Sequence, residues 1–331
     1  MPKLETQISR VPIWLDRSPW WLKGGQAQTI WASTGANQCP VPKYIREKWD
    51  APDGDFIDVD IVHERTSKNL LILFHGLEGS SSSHYAVAFA EYAARSGMSY
   101  AVAHFRGCGG AINIQNRAYH SGDFHEIDWI LRRFRGQFKG RVIAVGVSLG
   151  GNALLRWAEE IGAEAKIHID AIASVCAPLD LMASGQALGR GFNRWTYTPM
   201  FLRSMRKKAL AKLSQFPGLF DREKMINAKS LYEFDQIFTA PLHGFKSTED
   251  YWIKASSKER LDEIKIPSLI VNAINDPFVP ISSVCDLRVQ QKWVTLWQPQ
   301  QGGHVGFVNG GFPGHLRILP AGIGEWFMQH I

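Results

Sequence analysis

The chain of 331 residues is 45% hydrophobic, with 12 Trp and 18 Phe; it has ample material for a packed core and is not disordered. A formal net charge of +6, with no long single-sign block, permits contact with anionic surfaces but gives no nucleic-acid footprint. Met1-Pro-Lys-Leu-Glu-Thr-Gln-Ile8 lacks a basic-then-apolar leader, and no uncharged apolar run approaches the ~20 residues of a spanning helix, so the expectation is a soluble, cytoplasmic protein.

Residues 1–45 read as irregular, with Trp14, Trp20, Trp21 and Trp31 packing the segment onto the domain. Asp55–Val62 alternates polar and apolar residues, as a half-exposed strand does. Asn69–Phe74 is a continuous apolar run suited to a central strand buried on both faces, and it ends at His75-Gly-Leu-Glu-Gly79. A helix over about Tyr85–Ser96 and a strand over Ser99–Phe105 follow. Asp123 and Glu126 form a capping box for a helix with Ile127, Ile130, Leu131 and Phe134 on one face.

The next strand, Arg141–Val147, gives way to a helix reaching Glu160, and then to a strand at Ile169–Val175. This alternation predicts an α/β fold with a mostly parallel sheet and right-handed crossovers. Residues 181–262 are helical in pattern and contain no convincing strand. They read as a helical cap inserted between a first core part, 1–180, and a second, 263–331. Strands at Ile266–Asn272 and Lys292–Trp297 and a helix near Gly322–Gln329 complete the core.

Gly146-Val-Ser-Leu-Gly150 is a G-x-S-x-G pattern set between an apolar β-branched run and a run of helix formers, the context of a nucleophile elbow. Serine needs a base, and the base needs a carboxylate to orient it. Asp276 stands just past a strand end in Asn272–Pro280, with Asp262 and Asp286 as weaker rivals. His304 lies between glycines in Gly302-Gly-His-Val-Gly-Phe307 after the last strand, which completes the order Ser, Asp, His. The backbone N–H groups of Leu77, after His75-Gly76, and of Leu149, after the serine, are placed to hold an oxyanion.

These motifs resemble the α/β-hydrolase superfamily, and within it the YheT-like branch. Gln26-Ala-Gln-Thr-Ile30, His75-Gly-Leu-Glu-Gly79, Phe105-Arg-Gly-Cys-Gly109, Tyr119-His-Ser-Gly122, Gly146-Val-Ser-Leu-Gly-Gly-Asn152 and Glu233-Phe-Asp235 carry the resemblance. So do Ala240–Phe245, Asn275-Asp-Pro-Phe278 and Gly302–Phe307. The resemblance implies an α/β-hydrolase fold, a Ser148–Asp276–His304 triad and hydrolysis or transfer of acyl esters. An H-x4-D acyltransferase signature is absent at His304, where the fifth residue on is Asn309.

The reading is therefore a serine carboxylesterase without cofactor or metal, acting on a small-molecule acyl ester or lipid. An acyltransferase or lipid-directed hydrolase with the same triad is the alternative, and a silent lipid- or partner-binding hydrolase fold is the non-enzymatic one. Phe192, Trp195, Phe201 and Trp252 are expected to line an acyl pocket. Over 197–213 a basic amphipathic helix, with Arg206, Lys207, Lys208 and Lys212 around an apolar stripe, reads as a cap helix; peripheral membrane contact is the rival use. His120, Asp123 and His125 have metal-like spacing, which the helix cap at Asp123 explains without a metal. Cys39, Cys108, Cys176 and Cys285 are too scattered for a metal motif and read as free thiols.

Overall fold

The computed structural model describes residues 11, 12, 14–284 and 292–331, so the segment Met1–Ile8, Cys285 and Asp286 lie outside the described residues. Eight strands form one sheet in the order β1-β2-β4-β3-β5-β6-β7-β8. They are β1 (Ile45–Asp50), β2 (Phe56–Val62), β3 (Leu70–Phe74), β4 (Ser99–Ala103), β5 (Val142–Val147), β6 (Ala171–Val175), β7 (Ser268–Val271) and β8 (Val294–Trp297). From β4 to β8 neighbouring strands pair in parallel, whereas β1–β2 and β2–β4 pair antiparallel.

Alternation along β3 builds two cores. Leu70, Ile72 and Phe74 face a layer containing Ile127, Ile130, Leu131 and Phe134 of α3 (Phe124–Gln137) and Leu154 and Trp157 of α4 (Leu149–Ile161). Leu71 and Leu73 face the other layer, with Phe89 of α2 (His84–Arg95) and Trp326 of the last helix (Ile318–His330). Asp123 caps α3 by accepting the Glu126 N–H at 3.4 Å. Both faces of the central strands β3 and β5 are thus covered, which is why these two are written as runs without a polar side chain.

Three elements depart from their sequence pattern. Residues 25–34 form a helix, α1 (Gly25–Thr34), inside the stretch expected to be irregular. The edge strand β1, Ile-Arg-Glu-Lys-Trp-Asp, shows only Trp49 buried, so its sequence has little apolar signal. Strand β2 is buried from Phe56 through Ile61 instead of half exposed, because Asp60 there accepts bonds from Arg46, Ser81 and His104.

Between β6 and β7 the chain is helical. After a short helix α5 (Ala165–His168) before β6 come α6 (Leu181–Leu188), α7 (Gly191–Trp195) and α8 (Tyr197–Gln215). They are followed by α9 (Arg222–Asn227), α10 (Leu231–Phe234), a π-helical turn (Asp235–Thr239), α11 (Ala240–Leu242) and α12 (Thr248–Ala255). The last helix is α13. Asn152, on the first turn of α4, ties this layer to the core: its amide donates to Ala255 O at 2.7 Å and to Ser121 O at 3.0 Å, and its carbonyl accepts from Ser257 Oγ at 2.8 Å.

Candidate active site

Strand β5 ends at Val147 and α4 starts at Leu149, so one residue makes the whole turn. That residue, Ser148, has φ 52° and ψ −120°, a region costing a non-glycine residue about 1–3 kcal/mol. Its own N–H donates to Val175 O at 2.8 Å, which anchors the turn to β6. The flanking glycines are required by space. A Cβ on Gly146 would lie 2.4 Å from Gly150 O, and one on Gly150 would lie 2.5 Å from both Phe74 O and His75 O.

Asp276 follows β7, and its Oδ1 accepts the N–H groups of Phe278 at 2.8 Å and Val279 at 3.1 Å. The carboxylate is fully buried. His304 Nδ1 lies 3.0 Å from Asp276 Oδ2 and 3.2 Å from Oδ1, and its Nε2 lies 3.0 Å from Ser148 Oγ. A carboxylate can only accept, so Nδ1 carries the proton and Nε2 accepts from the serine hydroxyl. The Phe278 ring packs on the imidazole at 4.3 Å between centroids. The structure thus brings Ser148, His304 and Asp276 into one hydrogen-bonded line, while Asp262 stays exposed on another part of the surface.

Helix α1 holds both loops, and sequence reasoning missed it. Gln28 Oε1 accepts from Asn275 Nδ2 at 2.9 Å and from Gly302 N–H at 3.0 Å. Asn275 Oδ1 accepts from Gly303 N–H at 2.9 Å. Thr29 Oγ1 accepts the His304 N–H at 2.8 Å and donates to Gly25 O at 2.7 Å. One signal was available: Gln26-Ala-Gln-Thr-Ile30 is among the motifs that carry the family resemblance.

On the other side of Ser148, the two peptides flanking Leu77 are both fixed. His75 is buried, which lowers its pKa to about 3 and keeps it neutral. Its Nε2 accepts from Phe105 N–H at 3.1 Å, so Nδ1 holds the proton and donates to Gly76 O at 2.8 Å. Gly79 N–H donates to the same oxygen at 2.9 Å. The peptide is planar and trans, so the Leu77 N–H points away from that carbonyl. The following peptide is held by Glu78 N–H donating to Tyr119 Oη at 3.0 Å; Tyr119 returns a bond to Glu78 Oε1 at 2.7 Å. Lys208 Nζ, from α8, donates to that carboxylate oxygen at 2.8 Å and to Cys108 Sγ at 3.1 Å. Leu149 N–H opens α4, where no intrahelical acceptor exists. Leu77 and Leu149 both border the cavity that holds Ser148 and His304.

That cavity is mostly apolar, with Leu188, Phe201, Met205, Phe234, Phe238 and Trp252 among its walls. Phe201 and Trp252 lie where expected. Phe192 and Trp195 do not: they are 51% and 78% exposed. The reason is α7, whose one buried side chain is Asn193, held by Gln26 and by Pro277 O at 2.7 Å. On α8, Lys208 and Lys212 turn inward, and Lys212 donates to Asn113 O and to Gln115 O. Burial lowers the Lys212 pKa to about 8. Asp235 also borders the cavity; burial raises its pKa to about 6, against bonds from Thr239 Oγ1 and Trp252 Nε1. Among the described residues one set of metal-ligating atoms converges, Cys176, Asp276 and His304, within 4.8 Å. Two of the three already bond each other, and burial pushes the Cys176 thiol well up, away from the thiolate a metal would need.

A family model described as the alpha/beta hydrolase fold matches residues 69–311. The putative esterase YheT of Escherichia coli (strain K12) is 33% identical over 291 residues, 86% of this chain and 85% of that protein. The chain belongs to the α/β-hydrolase family, in its YheT-like branch. A second relative in this family, the phospholipase ABHD3 of Bos taurus, is 27% identical over 83% of this chain and 69% of its own length. Among solved structures, the Pyrococcus furiosus esterase Pf2001 superposes with a TM-score of 0.56 at 16% identity, over 87% of this chain and 93% of that one, a likeness of α/β-hydrolase fold alone.

Proposed function

We propose that this α/β hydrolase is a serine carboxylesterase, with Ser148 as nucleophile, His304 as base, Asp276 as its orienting carboxylate, and the Leu77 and Leu149 N–H groups as oxyanion donors. The observation that carries the reading is the line Ser148 Oγ–His304 Nε2–Asp276, with both bonds at 3.0 Å, on the wall of an apolar cavity. The names of the relatives, an esterase and a phospholipase, agree with ester chemistry.

In the reaction Ser148 Oγ bonds to the ester carbonyl carbon as its proton passes to His304 Nε2, and the carbonyl oxygen becomes an oxyanion facing the two N–H groups. The C–O bond to the alcohol then breaks, and the imidazolium proton leaves with the alkoxide. Water, deprotonated by His304, attacks the acyl-serine; the acid departs and Ser148 regains its proton. Phe201, Met205, Phe234 and Phe238 offer the acyl chain an apolar wall. The layer of residues 181–262, which includes helices α6–α12 (Leu181 to Ala255), acts as the cap that encloses it.

The test is steady-state hydrolysis of soluble short- and medium-chain esters by the purified protein. Turnover that is lost in Ser148→Ala supports the reading. Absence of turnover with every such ester, in protein that is folded, contradicts it. Added alcohol, with product partitioning between acid and new ester, separates hydrolysis from acyl transfer.

A further inference from the structure

Between residues 181 and 220 the chain has no Asp or Glu, yet it carries seven cations. Three of them, Arg206, Lys208 and Lys212, are spent inward on Ala228 O, on Glu78 and on the Asn113 and Gln115 carbonyls. The other four, Arg190, Arg194, Arg203 and Lys207, are exposed. Among them stand three large apolar side chains left in solvent: Phe192 at 51%, Trp195 at 78% and Met200 at 57%. On α8 the spacing of Met200, Arg203 and Lys207 puts them on one helical face. The Arg194 guanidinium lies 5.7 Å from the centre of the Trp195 ring, so cation and aromatic are presented together.

We propose that this outer face of α7 and the start of α8 is a docking surface for an anionic lipid bilayer. Aromatic and thioether side chains interleaved with arginines, on a stretch (181–220) that itself carries no carboxylate, match the boundary of a bilayer, where rings enter the headgroup region and cations meet anionic lipid. Of the basic 197–213 helix that the sequence suggested, the surface keeps only Met200, Arg203 and Lys207, because Arg206, Lys208 and Lys212 are used inside. The inner side of the same layer supplies Leu188, Phe201 and Met205 to the cavity of Ser148. Docking would therefore bring the bilayer against the layer that roofs the site, a benefit to an enzyme whose esters partition into lipid; this last step rests on the proposed esterase function.

The test is co-sedimentation of the full chain with sucrose-loaded vesicles. One set is phosphatidylcholine with about 30% phosphatidylglycerol, and the other is pure phosphatidylcholine. Binding is expected to the anionic set alone and to fall in high salt. F192S/W195S and R190E/R194E/R203E should each lower the partition coefficient about tenfold or more, with unchanged circular dichroism and unchanged hydrolysis of a soluble ester. K139E/K166E/K265E, a charge-matched control near the opposite ends of β5, β6 and β7, should stay within about twofold. No binding to anionic vesicles overturns the proposal, as does binding that survives both variants. So does a wild-type dimer that F192S/W195S converts to monomer, since the face would then join two copies. Soluble-ester turnover is read separately, so a failed esterase reading and a failed docking surface give different results.

Discussion

Thr29 Oγ1 accepts the backbone N–H of His304 at 2.8 Å, although the two residues are 275 positions apart. Through this bond a helix at the start of the chain sets the height of the imidazole above Ser148. Thr29→Val removes the acceptor, keeps the shape and leaves a partly buried N–H unpaired. The expected result is a fall in kcat of about tenfold with little change in KM, and recovery in Thr29→Ser, measured on a soluble ester.

Lys208 and Glu78 give a second expectation. The ammonium of α8 and the hydroxyl of Tyr119 share Glu78 Oε1, next to the Leu77 N–H assigned to the oxyanion. Lys208→Met and Glu78→Gln should each lower kcat by about tenfold, and the double variant should be no worse than either single, as for one interaction removed twice. Losses that multiply in the double-mutant cycle would show that the two residues act separately. Lys207→Met, exposed on the same helix, should leave kcat unchanged.

At Gly150 an added methyl would sit 2.5 Å from two backbone oxygens, that of Phe74 at the end of β3 and that of His75 just after it. Neither backbone can withdraw without breaking the β3–β5 pairing or the turn at Ser148. Gly150→Ala should cost about 4 kcal/mol or more, or fail to fold, as read from denaturant midpoints. Gly136→Ala, where a Cβ would meet nothing, should be neutral or slightly stabilising.

Acid should destabilise the protein through buried histidines. Burial lowers the folded pKa of His75 to about 3, of His84 to about 4 and of His243 to about 3, each from 6.5. The unfolded chain binds these protons below about pH 6.5, while the folded chain binds them only near pH 3 to 4. Their contribution is thus complete above pH 6.5 and is lost as pH falls toward 4, at up to about 1.4 kcal/mol per pH unit for each histidine. Denaturant midpoints from pH 7 to pH 4 check the direction, and His243→Asn should flatten the slope. Asp235 works the opposite way: its folded pKa of about 6 means stability falls as pH rises from about 4 to 6, and Asp235→Asn should remove that component.

The parts of the fold that the sequence made legible are those where apolar burial and pattern coincide. β3 and β5 are apolar runs because both sheet faces are covered, and the elbow is legible because space excludes any side chain at Gly146 and Gly150. Helix α1 was not legible for the converse reason: its buried residues are Gln28, Thr29 and Ala32, and the first two are buried to bond loops far away in sequence. Hydropathy reads such residues as surface. β1 hid in the same way, as an edge strand with a single buried side chain, Trp49. For Phe192 and Trp195 the error runs the other way. Aromatic character suggested a pocket, but Asn193, between them in sequence, takes the inward position on α7.

In the proposed reaction Ser148 is a nucleophile made reactive by His304. Labelling with a fluorophosphonate, followed by peptide mass spectrometry, tests it most directly. A single adduct on Ser148 is expected, absent in Ser148→Ala and strongly slowed in His304→Ala. An unlabelled Ser148 in folded protein, or labelling that proceeds at the same rate without His304, would contradict it.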